Sequence, residues 1–248
     1  MRAILAYHSI DDSGSVISMD EATFRGHADW LADGGPSVVP LAELLARDDD
    51  EDVLALTFDD GFRSFGSTAW PILRERGLPA SVFVVSGHAG GTNEWGGRRE
   101  PDIPVLDLLD WDELGALDEE GVEIGSHTRG HPHLAGLDAA RLEDEVAGAA
   151  EEIGMRLGRR PAGFAYPYGS LDAAAETRVS ALHEWACSTE LDVLGPGTPR
   201  HRLPRLDAYY YRRPGTLEAW GSARFRVRLA TRQAGRRARA RLAERRVR

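Results

Sequence analysis

Short apolar runs alternate with longer amphipathic ones along this chain. The runs AILAY (3–7), VLALTF (53–58), ASVFVV (80–85), VEIGSH (122–127), FAYP (164–167), WACS (185–188) and HRLPRL (201–206) predict short strands. Between them, DEATFRGHADWLADGG (20–35) sets Phe24, His27, Ala28 and Leu31 at helical spacing. FRSFGSTAWPILRERG (62–77) predicts a helix stopped by Gly77, and WDELGALDEEG (111–121) a third. In LDAARLEDEVAGAAEEIGMRLG (137–158), Leu142, Val146, Ala149, Ala150 and Ile153 share one face. Apolar strands alternating with amphipathic helices indicate a parallel sheet covered by helices, the α/β class. Seven or so such units favour a closed (β/α)7-type barrel over an open sheet, as one domain over residues 1–221. In barrels of this kind chemistry gathers at the C-terminal strand ends.

Those ends carry unusual residues. The first run stops at His8, the second at Asp59-Asp60-Gly61, the fourth at Ser126-His127-Thr128-Arg129-Gly130-His131, and the fifth at Tyr168-Gly169. A strand-end histidine satisfied by a backbone carbonyl is the plain reading of His8. One carboxylate suffices to cap the next helix, whereas two adjacent ones in a confined site repel unless a cation or shared proton relieves them. His127 and His131, four residues apart, fall on one side of a helical turn. Two histidines and one carboxylate make a divalent-metal set with positions left open for water and substrate.

Composition sharpens the picture at the C-terminus. The chain has 248 residues, 42% hydrophobic, with a net charge of −10, one cysteine and no lysine. Cys187, in EWACSTE, excludes an internal disulfide and reads as a small buried residue. Residues 1–221 hold 19 Arg against 39 acids, while residues 222–248 hold 11 Arg against Glu244 alone. This Arg-rich tail reads as helical. It would either dock on the acidic body or attach to an anionic membrane surface; the body's charge argues against nucleic acid as a partner. No stretch reaches the roughly 18 apolar residues of a membrane span. The opening run is too short for a signal peptide. The expectation is a cytoplasmic protein, peripheral at the inner face of the membrane if the tail binds lipid.

LTFDDG, SHTRGH and FAYPYG, in this order and at these strand ends, resemble the polysaccharide deacetylases of carbohydrate esterase family 4. The resemblance spans roughly residues 3–206. It implies a distorted barrel of about seven strands, with Asp60, His127 and His131 binding one divalent metal ion, commonly zinc. It further implies Asp59 as catalytic base and the Tyr168 backbone N–H as oxyanion donor. SGHAGGTNEW (86–95) is a looser match to the family's substrate-side loop.

Two departures stand out. Family members ordinarily place an acid histidine in a Leu-x-His motif near the C-terminus, whereas here His183 falls in a predicted helix and His201 precedes its strand. His8 fits instead, because in a closed barrel the first strand can take the place of a permuted last one. This arrangement is similar to the circularly permuted branch of poly-N-acetylglucosamine deacetylases, and makes His8 the general acid. Many members also carry an arginine where Ala165 stands, and Arg205 in RLPRLD is the candidate replacement from a neighbouring strand. His133 reads as structural, Asp11 and Asp12 as turn residues and His88 as a loop residue. Trp95 and Tyr166 either line a sugar site or pack internally. The implied activity is removal of N-acetyl groups from an amino sugar in a glycan or glycoconjugate. An O-acetyl esterase and a non-catalytic carbohydrate- or metal-binding domain are the alternatives.

Overall fold

The computed structural model describes the backbone of residues 1–247 and the side chains of residues 1–238. Of the predicted tail (222–248), the side chains of 239–248 and the whole of Arg248 lie outside the described residues. The strands are β1 Arg2–Tyr7, β2 Ser9–Ile10, β3 Ser18–Met19, β4 Ser37–Val38, β5 Val53–Phe58, β6 Ser81–Val84, β7 Glu123–Ser126, β8 Gly163–Ala165, β9 Trp185–Cys187 and β10 Leu206–Asp207. The main sheet runs β10-β1-β5-β6-β7-β8-β9, with β4 beside the start of β5. All its pairings are parallel. HRLPRL is a strand only at its end, because the segment is shared between two neighbours. Leu203 bridges to Cys187 on β9, and Leu206 pairs with Leu5 on β1. That shared segment curls the sheet towards a closed ring.

Alternation along the buried strands divides two apolar layers. Ala3, Leu5 and Tyr7 with Leu54, Leu56 and Phe58 face the covering helices. Ile4, Val53, Ala55, Phe83, Trp185 and Cys187 fill the interior. Large rings there need small neighbours. A Cβ on Gly163 would lie 2.0 Å from the Trp185 ring, and one on Gly125 2.5 Å from Phe83. Phe83 and Trp185 meet edge to face at 5.8 Å.

The first predicted helix is observed as Glu21–Asp33, capped by Asp20 and buried on Phe24, His27, Ala28 and Leu31. The helical patterns at 62–77 and 137–158 are less regular. Each contains a π-helical turn, Phe65–Ala69 in one and Asp144–Gly148 in the other. Such turns insert a residue into the helical ladder and re-aim the side chains that follow. The helix predicted to contain His183 ends at Ser180, and His183 is buried beyond it with Nδ1 3.1 Å from the Pro161 carbonyl.

Packing continues past residue 221. The C-terminal helix, Ala223–Val247, buries Phe225 completely and Leu229 nearly so. Phe225 stacks on Tyr211 at 5.5 Å, and Gln233 donates to the Leu191 carbonyl at 2.9 Å. Replacing Phe225 with Ala should therefore destabilise the protein by about 3–4 kcal/mol in urea unfolding. Val227→Ala, on the exposed side of the same helix, should cost less than about 0.5 kcal/mol. Equal effects would mean that the helix does not belong to the folded core.

Candidate active site

The fully buried run VLALTF ends where β5 leaves the sheet, and the next two residues are both carboxylates. Asp59 and Asp60 are buried, at 3% and 7% exposure. Each finds different compensation. Arg205, itself buried, grips Asp59 with two parallel hydrogen bonds, Nη1 to Oδ1 and Nη2 to Oδ2, both 2.7 Å. The Arg205 Nε–H donates to the Ser188 carbonyl at 3.0 Å, which fixes the guanidinium plane. Burial alone would push the Asp59 carboxyl up, but the Arg205 charge and hydrogen bonds outweigh it and hold the pKa below its ordinary value. Arg205 approaches from just before β10, the strand beside β1. His8 follows β1 directly, with Nε2 3.9 Å from Asp59 Oδ2 and its side chain 29% exposed.

Asp60 faces the other way, into the histidine pair. Its Oδ1 lies 3.2 Å from His131 Nε2 and 3.5 Å from His127 Nε2, and the two Nε2 atoms are 3.2 Å apart. His127 Nδ1 sits 2.7 Å from the Ala165 carbonyl oxygen, which can only accept. Nδ1 therefore carries a proton, and in the neutral ring the Nε2 lone pair points into the cluster. Burial opposes charge on both rings. The Asp60 and Asp59 carboxylates overcome it at His127 and raise that pKa, while burial prevails at His131 and lowers it. The donor atoms of Asp60, His127 and His131 lie within 4.8 Å of one another, and all three residues are buried. One divalent cation would satisfy these converging lone pairs together, so the donor set fits a metal ion.

Backbone strain concentrates here. The non-glycine residues with left-handed backbones among those described are Asp60 (φ 70°), Thr128 (φ 68°), His131 (φ 59°) and Tyr168 (φ 58°). Each such conformation costs on the order of 1–3 kcal/mol unless the surroundings impose it, and they collect at functional sites. The Thr128 hydroxyl accepts from the His131 N–H at 2.9 Å and closes the histidine turn.

A cleft of about 860 Å³ opens onto this cluster, lined by His8, Asp59, Asp60, His127, His131 and Tyr168. Arg205 stands behind Asp59 rather than on the cleft wall. The Trp95 and Tyr168 rings flank His131, with centroids at 4.5 and 4.7 Å, and Tyr168 stacks on His133 at 4.3 Å. Tyr166 is buried against Phe164 and also forms part of the cleft lining. His88 meets the edge of Trp95 at 5.1 Å. Asp11 accepts from the Ser13 N–H and the Ser18 hydroxyl within its turn. Cys187 is buried beneath the site, and burial pushes its thiol up to about 12. His201 lies elsewhere, with Nε2 2.9 Å from the His183 carbonyl. The sequence pattern missed Val16 and Ile17, whose loop adds an apolar wall to the cleft; the trace is an apolar pair inside a Ser- and Gly-rich loop.

The polysaccharide deacetylase family model matches residues 46–183, more than half of the chain. The chain belongs to the polysaccharide deacetylase family. It is 27% identical over 184 residues to YxkH of Bacillus subtilis, named as a polysaccharide deacetylase, covering 70% of this chain and 61% of that protein. To the poly-β-1,6-N-acetyl-D-glucosamine N-deacetylase of Staphylococcus epidermidis it is 21% identical over 206 residues, 76% of this chain and 67% of that one. The fold is similar to that of IcaB from Ammonifex degensii, with a TM-score of 0.71 and 21% identity over 89% of this chain and 97% of that one. The chain thus spans about six-tenths of the length of YxkH.

The Arg205–Asp59 pair yields a stability test. Arg205→Ala leaves a buried carboxylate without its partner and should destabilise the protein by about 3–5 kcal/mol in denaturant unfolding. Adding Asp59→Ala to that variant should restore much of the loss. A double variant no more stable than Arg205→Ala would show that the two groups are not energetically paired.

Proposed function

We propose that this polysaccharide deacetylase is a metal-dependent hydrolase that removes N-acetyl groups from an amino sugar in a glycan or glycoconjugate. The observation that carries the reading is one cleft holding the Asp60–His127–His131 cluster, the Arg205-bound Asp59 and His8. Asp60, His127 and His131 would hold the cation, and two imidazoles with one carboxylate suit zinc. Such an ion supplies Lewis acidity and lowers the pKa of a water from about 15.7 to near 7. Asp59, kept ionised and oriented by Arg205, accepts the proton of the attacking water. The Tyr168 backbone N–H donates to the developing oxyanion, a contribution of about 3–4 kcal/mol for one such donor. His8 protonates the departing amine, without which the C–N bond does not break productively. The half-buried Trp95 ring and the exposed Tyr168 ring offer apolar faces to a pyranose. Similarity to a poly-β-1,6-N-acetyl-D-glucosamine N-deacetylase supports an N-acetylglucosamine-type substrate.

The test is hydrolysis of N-acetylglucosamine oligomers by chelated protein with zinc restored. Free amine should appear, and Asp59→Asn should reduce turnover about 100-fold or more. His8→Ala should lose turnover on the amide while sparing an activated ester, whose leaving group needs no proton. Acetate released from an O-acetylated polysaccharide, with no amine from the oligomers, would point to O-deacetylation, and no product from either substrate to a binding domain. Equal loss on both substrates would remove His8 from the acid role.

A second reading concerns the C-terminal helix, which docks through apolar residues. Among the described residues no ion pair joins its arginines to the acidic body, and Arg224, Arg226, Arg232 and Arg237 are exposed. We propose that these arginines, distributed around the helix, attach the protein to anionic lipid at the inner face of a membrane, each contributing roughly 1 kcal/mol. No described helix is long and apolar enough to cross a membrane. Sedimentation with vesicles containing phosphatidylserine should be strong at low salt and lost near 1 M, where the Debye length falls to about 3 Å. Full-length protein that stays in the supernatant at low salt would defeat the reading.

A further inference from the structure

The turn that carries the histidine pair is held from behind by a side chain to which the reaction above gives no role. Glu145 is 1% exposed and sits on the π-helical turn Asp144–Gly148. Its Oε2 accepts from the Gly130 N–H at 2.7 Å and the Arg129 N–H at 3.1 Å. Its own carbonyl accepts from the same Arg129 N–H at 3.2 Å. Oε1 pairs with Arg141 Nη2 at 2.8 Å, so both oxygens of this buried carboxylate are engaged. Arg129 reinforces the contact by reaching Asp144 Oδ1 with Nη1 at 2.7 Å.

The opposite side of the turn is pinned as well. The Ser86 and Gly87 N–H groups donate to the Thr128 and Arg129 carbonyls at 3.1 and 2.9 Å. Neither side has slack. A Cβ on Gly87 would come 2.7 Å from the Arg129 carbonyl oxygen, and one on Gly130 3.1 Å from Glu145 Oε1. Thr128 and His131, immediately around the clamped amides, have the left-handed backbones that non-glycine residues keep only when held there. The π-helical turn supplies a reason for its own presence. It inserts a residue in the helix at the position where a side chain must reach the turn.

We propose that Glu145 is a positioning residue for the cation centre. By binding the Arg129 and Gly130 amides it holds His127 and His131 at the separation one divalent ion requires. The proposal rests on the reading of Asp60, His127 and His131 as that centre. It differs from a plain fold-anchoring role in a measurable way. An anchor sets the stability of the metal-free protein, whereas a positioning residue sets the affinity of the folded protein for metal.

The experiment is zinc titration of full-length, chelator-stripped protein in competition with a chromophoric chelator, with circular dichroism reporting the fold. Glu145→Gln keeps the shape but replaces one acceptor oxygen with a donor NH₂. It should weaken zinc binding about 10- to 100-fold, the usual scale for a group that orients metal ligands. Glu151→Gln, exposed on the adjoining helix, should bind like wild type. Gly130→Ala pushes on the same carboxylate from the turn side and should weaken binding in the same direction; it carries the test if Glu145→Gln does not fold. Wild-type zinc affinity in the folded variants, with or without a lowered thermal midpoint, overturns the proposal. Wild-type protein that takes up no zinc overturns the cation centre itself, and the role of Glu145 with it.

Discussion

Two carboxylates on consecutive residues at the end of a fully buried strand cannot both remain ionised without nearby positive charge. Most of the site's architecture answers that constraint. Asp59 receives the fixed guanidinium of Arg205, with both oxygens matched. Asp60 receives two imidazoles. The neighbours are thereby given different chemistry, although they share a strand end and a residue type. One is locked in orientation as an anion, and the other joins a lone-pair cluster that invites a cation. Separation of roles by environment, rather than by residue type, is how paired acids come to act differently in one site.

The same demand explains where strain is stored. Asp60 turns from β5 with a positive φ, so its side chain departs from the direction taken by Asp59. Thr128 and His131 bend the chain back so that both histidines present Nε2 to one point. Hydrogen bonds from the Thr128 hydroxyl, Glu145 and the Ser86–Gly87 backbone hold that bend. Rigid surroundings of this kind let a site be preorganised before any ligand arrives.

Closure of the sheet matters because the site draws on both of its ends. His8 follows β1, Asp59 and Asp60 follow β5, His127 follows β7, and Arg205 precedes β10. Only a curled sheet sets β10 beside β1 while residue 203 still touches β9. A guanidinium near residue 205 therefore reaches a carboxylate near residue 59. Ala165 has no charge to offer, and the guanidinium beside Asp59 comes instead from Arg205, just before β10.

The sequence by itself determined a good deal. Continuous apolar runs and amphipathic segments named the parallel, helix-covered sheet, since burial on both faces leaves few polar positions in a strand. The strand-end residues His8, Asp59, Asp60, His127, His131 and Tyr168 stood out because polar groups are costly there unless they are used. Arg205 was legible only as a candidate, because its partner lies 146 positions away and only sheet closure joins them. The two π-helical turns left no periodic signal, since one inserted residue barely alters a helical pattern. Glu145 was invisible for the same reason: on the helix it reads as one more surface acid in LEDEVAG, and only the packing of that turn against the histidine loop buries it. The end of the fold at Phe225 and Leu229 was masked by the surrounding arginines. Two apolar residues four apart decide docking only when tertiary structure offers a surface for them, here Tyr211 and the core beneath it.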